Sequence, residues 1–274
     1  MDWWQNLLLA GVGLIAGILN VLAGGGSLIV MPTMVFLGIP GAVTNGTARV
    51  AILGQNLTAI AGFRHKGFSD FKLSFSLALC ALPGTFLGAF LGTKLTGVWF
   101  NRILAAVMLS VLVTMILGQR RKKKPQPETS TESVAESIPE SAVPTASADS
   151  TESKAETGHS LAGHLLMVLA GFYGGFIQAG VGFILIAIMN SLMKIDLVRT
   201  NMHKVFIVAI YTVAAIGIFA WQGKIEWVTG LILTIGMSAG GWIGSHLAVS
   251  RGESFIRMVL YVAIVGMSIK LLLM

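Results

Sequence analysis

Charged residues are scarce in this sequence: 11% of its 274 residues, against 54% hydrophobic and a mean hydropathy of +0.79. A soluble globular domain carries about 25% charged residues, so that class is excluded and a multi-pass membrane protein is expected. There is one cysteine, Cys80, which rules out an intrachain disulfide framework and argues against a thiolate metal cluster. No G-x-x-x-x-G-K-[ST] loop is present, so the chain does not itself hydrolyse ATP. H-E-x-x-H and clustered His/Cys are also missing, which leaves no basis for an intramembrane metalloenzyme. Accordingly no enzymatic activity, cofactor or metal is assigned.

Carboxylates are scarcer still once they are partitioned. The tract Gln119 to Ser160 holds seven of the twelve acidic residues and six of the nineteen basic ones. Outside it remain Asp2, Asp70, Asp196, Glu226 and Glu253, none deep within an apolar stretch, so a proton relay of the Asp/Glu type is not expected. The formal net charge of +7 is therefore not a nucleic-acid-binding patch, since no Lys/Arg stripe with interleaved aromatics exists outside Arg120 to Lys124. It reflects cationic loop ends on an apolar body.

What the chain does have is long apolar runs. Windows of about 19 residues pick out Leu7 to Gly38, Val50 to Phe63, Leu73 to Gly92 and Phe100 to Leu117. Beyond the hydrophilic tract they pick out Leu161 to Met193, Val205 to Ala220, Val228 to Val249 and Phe255 to Leu273. A helix needs about 20 residues to span a bilayer. The first run of each half is longer than that and is interrupted by glycines, which predicts broken helices or short helical hairpins. The tract itself, rich in Ser, Thr, Glu, Ala and Pro, cannot bury enough surface to offset its ordering entropy. Residues 1–118 and 161–274 are thus read as two transmembrane halves, and 119–160 as a disordered cytoplasmic linker.

The halves align at an offset of 156. Thr44-Asn45 falls on Thr200-Asn201, Phe63 on Phe219, Gly67 on Gly223, Asp70 on Glu226, Gly84 on Gly240 and Gly88 on Gly244. Ala23 to Gly26 meets Ala179 to Gly182, and with a two-residue gap Asn20 meets Gln178. Loop cations then choose the relative orientation. In the first half they follow segments two and four (Arg64, Lys66, Lys72; Arg120 to Lys124). In the second they follow the broken segment (Lys194, Arg199, Lys204) and then Arg251 and Arg257. The bias is out of phase, which predicts an all-α polytopic membrane protein of two inverted-topology repeats, with about eight hydrophobic segments and the first of each half broken by glycines.

Interrupted helices in inverted repeats are where secondary transporters bind substrate. A helix restarting inside the membrane presents free backbone N–H groups, which with the dipole favour an anion. Gly24, Gly25, Gly26 and Ser27 in one half, and Gly180 and Gly182 in the other, are placed to make such restarts. Asn20 and Gln178, just before the breaks, are neutral amides able either to donate to an oxyanion or to cap the broken backbone. Thr44, Asn45, Thr47, Arg49 and Gln55, with Asn56 beside them, form a polar cluster matched by Thr200, Asn201, His203 and Lys204. An Arg facing a Lys across a pseudo-twofold would supply the positive potential that selects an anion. The implied partners are a small anionic substrate and the lipid bilayer; nothing sets an oligomeric state.

The run Gly13-Leu-Ile-Ala-Gly-Ile-Leu-Asn-Val-Leu-Ala-Gly-Gly-Gly-Ser-Leu-Ile-Val-Met-Pro32, followed by Leu37-Gly-Ile-Pro40 and Asn45-Gly-Thr-Ala-Arg-Val-Ala-Ile52, resembles the TauE/SafE family of sulfite and organosulfur-anion exporters. The likeness covers essentially the whole chain outside the linker. It departs at Ala48, where the family's N-G-T-N-R form has Asn, and at Val181, where the glycine run has its middle glycine. The resemblance implies an inner-membrane secondary transporter exporting a small anion, sulfite or an organosulfonate foremost. A non-transporting scaffold or sensor acting through the linker is the alternative reading.

Overall fold

The computed structural model describes residues 3–68, 71–95, 97–122 and 161–250, with side chains of the helix ending at Lys122 described as far as Ser110. The linker from residue 123, Asp70 and the eighth apolar segment lie outside the described residues, so the readings placed on them have no structural counterpart here.

Every regular element among the described residues is helical: α1 (Trp3–Ala23), α2 (Ser27–Phe36), α3 (Gly41–His65), α4 (Lys72–Thr93), α5 (Gly97–Lys122), α6 (Leu161–Phe176), α7 (Val181–Ile186), α8 (Leu197–Trp221) and α9 (Trp227–Ser250). A π-helical turn, Ala187–Leu192, continues α7. The chain is an all-helical polytopic membrane protein. Helices α1, α4, α8 and α9 are long and apolar enough to cross a bilayer; α3 has 25 residues and carries the polar cluster. The two long apolar runs are each broken, the first between α1 and α2, the second between α6 and α7.

Local signals set these boundaries. Asp196 caps α8, its Oδ1 accepting from Val198 N and Arg199 N at 3.0 Å each. Helices α3 and α8 both end on a left-handed glycine, Gly67 (φ 86°) and Gly223 (φ 64°). In each case the next residue's N–H returns to a phenylalanine carbonyl, Phe68 to Phe63 at 3.1 Å and Lys224 to Phe219 at 2.8 Å. Gly24 (φ 80°) and Gly180 (φ 72°) form a second pair of left-handed residues separated by 156 positions, and Gly38 (φ 88°) and Lys194 (φ 58°) a third.

Helix directions follow from close contacts. A methyl group on Gly13 would meet Leu233 and Met237, one on Gly17 would meet Met237 and Gly240, and one on Gly244 would meet Ile18 and Val21; α1 and α9 therefore run parallel. The same test makes α3 parallel to α9 (Gly54 against Thr234, Gly62 against Ser245) and α4 parallel to α6 (Gly84 against Val168, Gly92 against Phe176). Helix α8 runs with α4, Ser74 lying against His203 and Gly92 against Phe219. Helices α3 and α8 cross antiparallel: Gly46 lies against Phe219, while Phe63 packs with Met202 and Val205. Thus α1, α3 and α9 point one way and α4, α6 and α8 the other, and each broken helix packs on a helix of the opposite half.

One end of this bundle gathers Arg64, Lys66, Lys72, Lys194 and Arg199; the other gathers the exposed indoles of Trp3, Trp4, Trp99, Trp221 and Trp227 together with three cations, Lys94, Arg102 and Lys224. Aromatic belts and cationic loops mark membrane interfaces.

The packing predicts which glycines are indispensable. A methyl group on Gly236 would lie 2.0 Å from Ala10 O, whereas one on Gly217 meets nothing within 4 Å. In detergent, Gly236→Val is expected to lose about 1–3 kcal/mol or more of stability through overpacking. Gly217→Ala is expected to be neutral or to gain up to about 1 kcal/mol. Thermal unfolding of the two variants side by side checks this; equal midpoints would exclude the α1/α9 contact.

Candidate functional site

Two helices end inside the bundle, and their last carbonyls have no intrahelical partners. Each set is met by a helix of the opposite half. At the end of α6, Arg49 of α3 donates through Nη1 to Gly174 O (3.0 Å) and through Nη2 to Gly175 O (2.5 Å), and Asn45 Nδ2 donates to Phe176 O (2.7 Å). At the end of α1, Lys204 Nζ of α8 donates to Val21 O (2.7 Å) and Asn201 Nδ2 to Leu22 O (3.4 Å). Cations belong at the negative end of a helix dipole. The asparagines do double duty, their Oδ1 atoms accepting from Arg49 (3.2 Å) and Lys204 (2.6 Å). Arg49 also donates to Gln178 Oε1 at 2.6 Å and lies 4.7 Å from the centre of the Phe219 ring.

Both cations are buried. Among the described residues no carboxylate is: Asp196 and Glu226 are exposed. Around these two cations stand carbonyl dipoles, side-chain amides and a ring face.

The reversals after α1 and α6 press against each other. A methyl group on Gly24 would sit 2.5 Å from the Gly182 backbone, and one on Gly182 would sit 2.3 Å from Gly24 Cα, so only glycine fits either position. Gly180 N donates to Ser27 Oγ at 3.1 Å, and Ser27 Oγ lies 3.4 Å from Gln178 O. Beside this crossing is a small cavity lined by Asn20, Ser27, Ile52, Asn56, Gln178, Val181, Gly182, Lys204 and Val208. Asn20 Nδ2 donates to Gln55 Oε1 at 2.6 Å and Gln178 Nε2 to Thr212 Oγ1 at 3.4 Å. Asn56 Nδ2 is buried and has no hydrogen-bond partner. A buried amide N–H without an acceptor is costly, and the cavity, with room for about one water-sized group, lets a water or another small acceptor relieve that cost.

Of the residues singled out in sequence, the cavity collects Asn20, Ser27, Gln178, Gly182 and Lys204. Gly24, Gly25, Gly26 and Gly180 form the reversals, with Gly25 O and Gly26 O accepting the first N–H groups of α2. Thr44 and Thr200 cap locally, bonding Ile39 O (3.1 Å) and Ile195 O (3.2 Å). Thr47 Oγ1 accepts from Glu226 N at 2.9 Å, and His203 pairs with Ser74 at 2.7 Å. Arg49, Asn45 and Asn201 hold helix ends, and Gln55 anchors Asn20. The cavity also takes in Asn56, which the polar cluster had placed next to the site, Val181 inside the second glycine break, and the apolar Ile52 and Val208, which carry no signal in a sequence this hydrophobic.

The chain matches the family profile described as Sulfite exporter TauE/SafE over residues 9–271. It belongs to the TauE/SafE family. Relatives include "Probable membrane transporter protein ORF9" of Sinorhizobium sp, 26% identical over 258 residues, covering 94% of this chain and 88% of the relative. "Probable membrane transporter protein YfcA" of Escherichia coli is 25% identical over 265 residues, covering 95% and 87%. A "Probable membrane transporter protein" of Haemophilus influenzae is 23% identical over 250 residues, covering 90% and 86%. No solved structure matches the chain significantly. TauE/SafE membership makes this a protein of a membrane transporter family, and the glycine-rich reversal at residues 24–26 that carried the resemblance is where the two halves of this TauE/SafE chain meet.

The forked guanidinium of Arg49 reaches two backbone carbonyls and two side-chain amides, which a lysine, with one point charge, cannot hold together. Arg49→Lys is expected to lower stability in detergent by about 2 kcal/mol or more, because buried carbonyls lose their donors. Thermal unfolding followed by light scattering measures it, and an unchanged midpoint would show that α6 does not depend on this cap.

Proposed function

We propose that the chain is a secondary transporter that binds a small oxyanion in the cavity between Asn20, Ser27, Asn56, Gln178 and Lys204 and moves it by alternating access between its two halves. The observation that carries this reading is the unpartnered amide of Asn56 in a cavity shared with a buried ammonium and no carboxylate. An oxyanion accepts hydrogen bonds from amides and a hydroxyl and is attracted to a positive interior. In this proposal the substrate is sulfite or an organosulfonate and the direction is export from the cytoplasm, consistent with the family description. The residues bind and release, with no bond made or broken and no cofactor.

We further infer that the halves are inverted-topology repeats. Three pairs of left-handed residues at one offset, matching caps on α3 and α8, and opposite directions of corresponding helices support it. The cation-rich end is then cytoplasmic by the positive-inside rule and the Trp-rich end outside, in the inner membrane, with the linker 119–160 in the cytoplasm.

Reconstituted protein should carry sulfite or sulfoacetate in preference to chloride and sulfate. Asn56→Ala and Lys204→Met should each reduce that flux by about tenfold or more, the cost of one hydrogen bond to a charged ligand. Folded protein that carries none of the four anions would overturn the transport reading in favour of a scaffold.

A further inference from the structure

Alternating access needs two bodies that move against each other, and the helix packing does not divide them at the linker. The long helices whose packing is described fall into two sets of three, α1, α3 and α9 in one and α4, α6 and α8 in the other. Each set contains a helix of the opposite half: α9 comes from residues 161–274 and α4 from residues 1–118. Within a set the joints are backbone against backbone. A methyl group on Gly17 of α1 would lie 2.4 Å from Met237 O of α9, and one on Gly88 of α4 would lie 2.0 Å from Phe172 O of α6. Hydrogen bonds reinforce these seams, Thr58 Oγ1 of α3 donating to Ser238 O of α9 at 2.9 Å and Thr85 Oγ1 of α4 to Gly171 O of α6 at 3.2 Å. With the described helices of their own half, α4 and α9 make only slight contact.

Between the sets, α3 and α8 cross antiparallel, and the ends of α6 and α1 are held by the long side chains of Arg49 and Lys204. Parallel helices seamed by glycines cannot slide without backbone overlap, whereas such side chains can pivot. The 156-residue offset turns one set into the other, α1 onto α6, α3 onto α8 and α4 onto α9, so the sets are equivalent bodies. Division by halves and division by sets both put Asn20, Ser27, Ile52 and Asn56 on one side of the cavity and the stretch from Gln178 to Val208 on the other. They differ in where α4 and α9 go. We propose that the bodies that move during transport are the two exchanged sets: α9 travels with α1 and α3, and α4 with α6 and α8. This rests on the transport reading and specifies which contacts transport must break.

A disulfide between α3 and α9 tests it, because it joins the two halves of the sequence while staying within one set. A Cβ on Gly54 would lie 3.7 Å from Thr234 Cβ, inside the range of about 3.5–4.5 Å for a disulfide. The Thr234 Cγ2 that crowds this position leaves with the substitution. In reconstituted full-length protein carrying Cys80→Ala, oxidised Gly54→Cys/Thr234→Cys should carry sulfite within about twofold of its reduced form, since the bond lies inside one rigid body. Bodies divided at the linker predict instead a loss of about tenfold or more on oxidation, reversed by dithiothreitol; that result overturns the proposal. Val50→Cys/Gly230→Cys, with Cβ atoms 3.3 Å apart, repeats the test on the same two helices if the first variant does not fold. Retained flux must come with movement between the sets. Spin labels replacing the exposed Leu87 of α4 and Leu231 of α9 should give a distance that changes when sulfite is added, and a single unchanged distance also overturns the proposal. Wild-type protein that carries no anion removes the transport reading and this one with it, whereas loss confined to the oxidised variant removes the assignment of bodies alone.

Discussion

Two helix C-termini that stop in the middle of a membrane protein impose the constraint on which the rest of this structure depends. Their carbonyls have no water to turn to, and in hydrocarbon each unsatisfied group costs several kcal/mol. The solution is reciprocal: α3 of the first half supplies Arg49 and Asn45 to α6, and α8 of the second half supplies Lys204 and Asn201 to α1. Cations suit these ends because the dipole is negative there. Two cations are thus buried to meet an architectural need, with no buried carboxylate beside them among the described residues.

The reciprocity also explains the glycines. Capping across halves requires each broken helix to lie close along a helix of the other half, and parallel packing with backbones nearly touching needs small residues. Gly236 against Ala10, Gly84 against Val168 and Gly171 against Ala81 each leave no room for a methyl group. Where the two reversals cross, Gly24 and Gly182 are in contact by backbone alone, which fixes the distance between halves at the point where the cavity opens.

Much of this fold is legible in the sequence because it is written in local terms. Apolar run lengths place α1 with α2, and α6 with α7, as broken elements. The polar cluster from Thr44 to Asn56 is visible because polar residues are rare in so apolar a chain. What each member does is not legible, because the deciding contacts span from 125 residues, Arg49 to Gly174, to 183, Lys204 to Val21. Composition marks both cations as anion-selecting; geometry makes them helix caps first. It also shows Asn56 Nδ2 buried without a hydrogen-bond partner, a property no residue type encodes.

Reciprocal capping has a consequence for biosynthesis. The first half leaves the ribosome with the carbonyls of Val21 and Leu22 exposed, and their donors arrive only when Lys204 and Asn201 have been made, 183 residues after Val21 in the case of Lys204. At about 5–20 residues per second, that interval is on the order of 10 to 40 s. During it these two carbonyls are without the donors they have in the folded chain. Because both helices belong to one chain, the missing cap comes from the same molecule as the helix it completes.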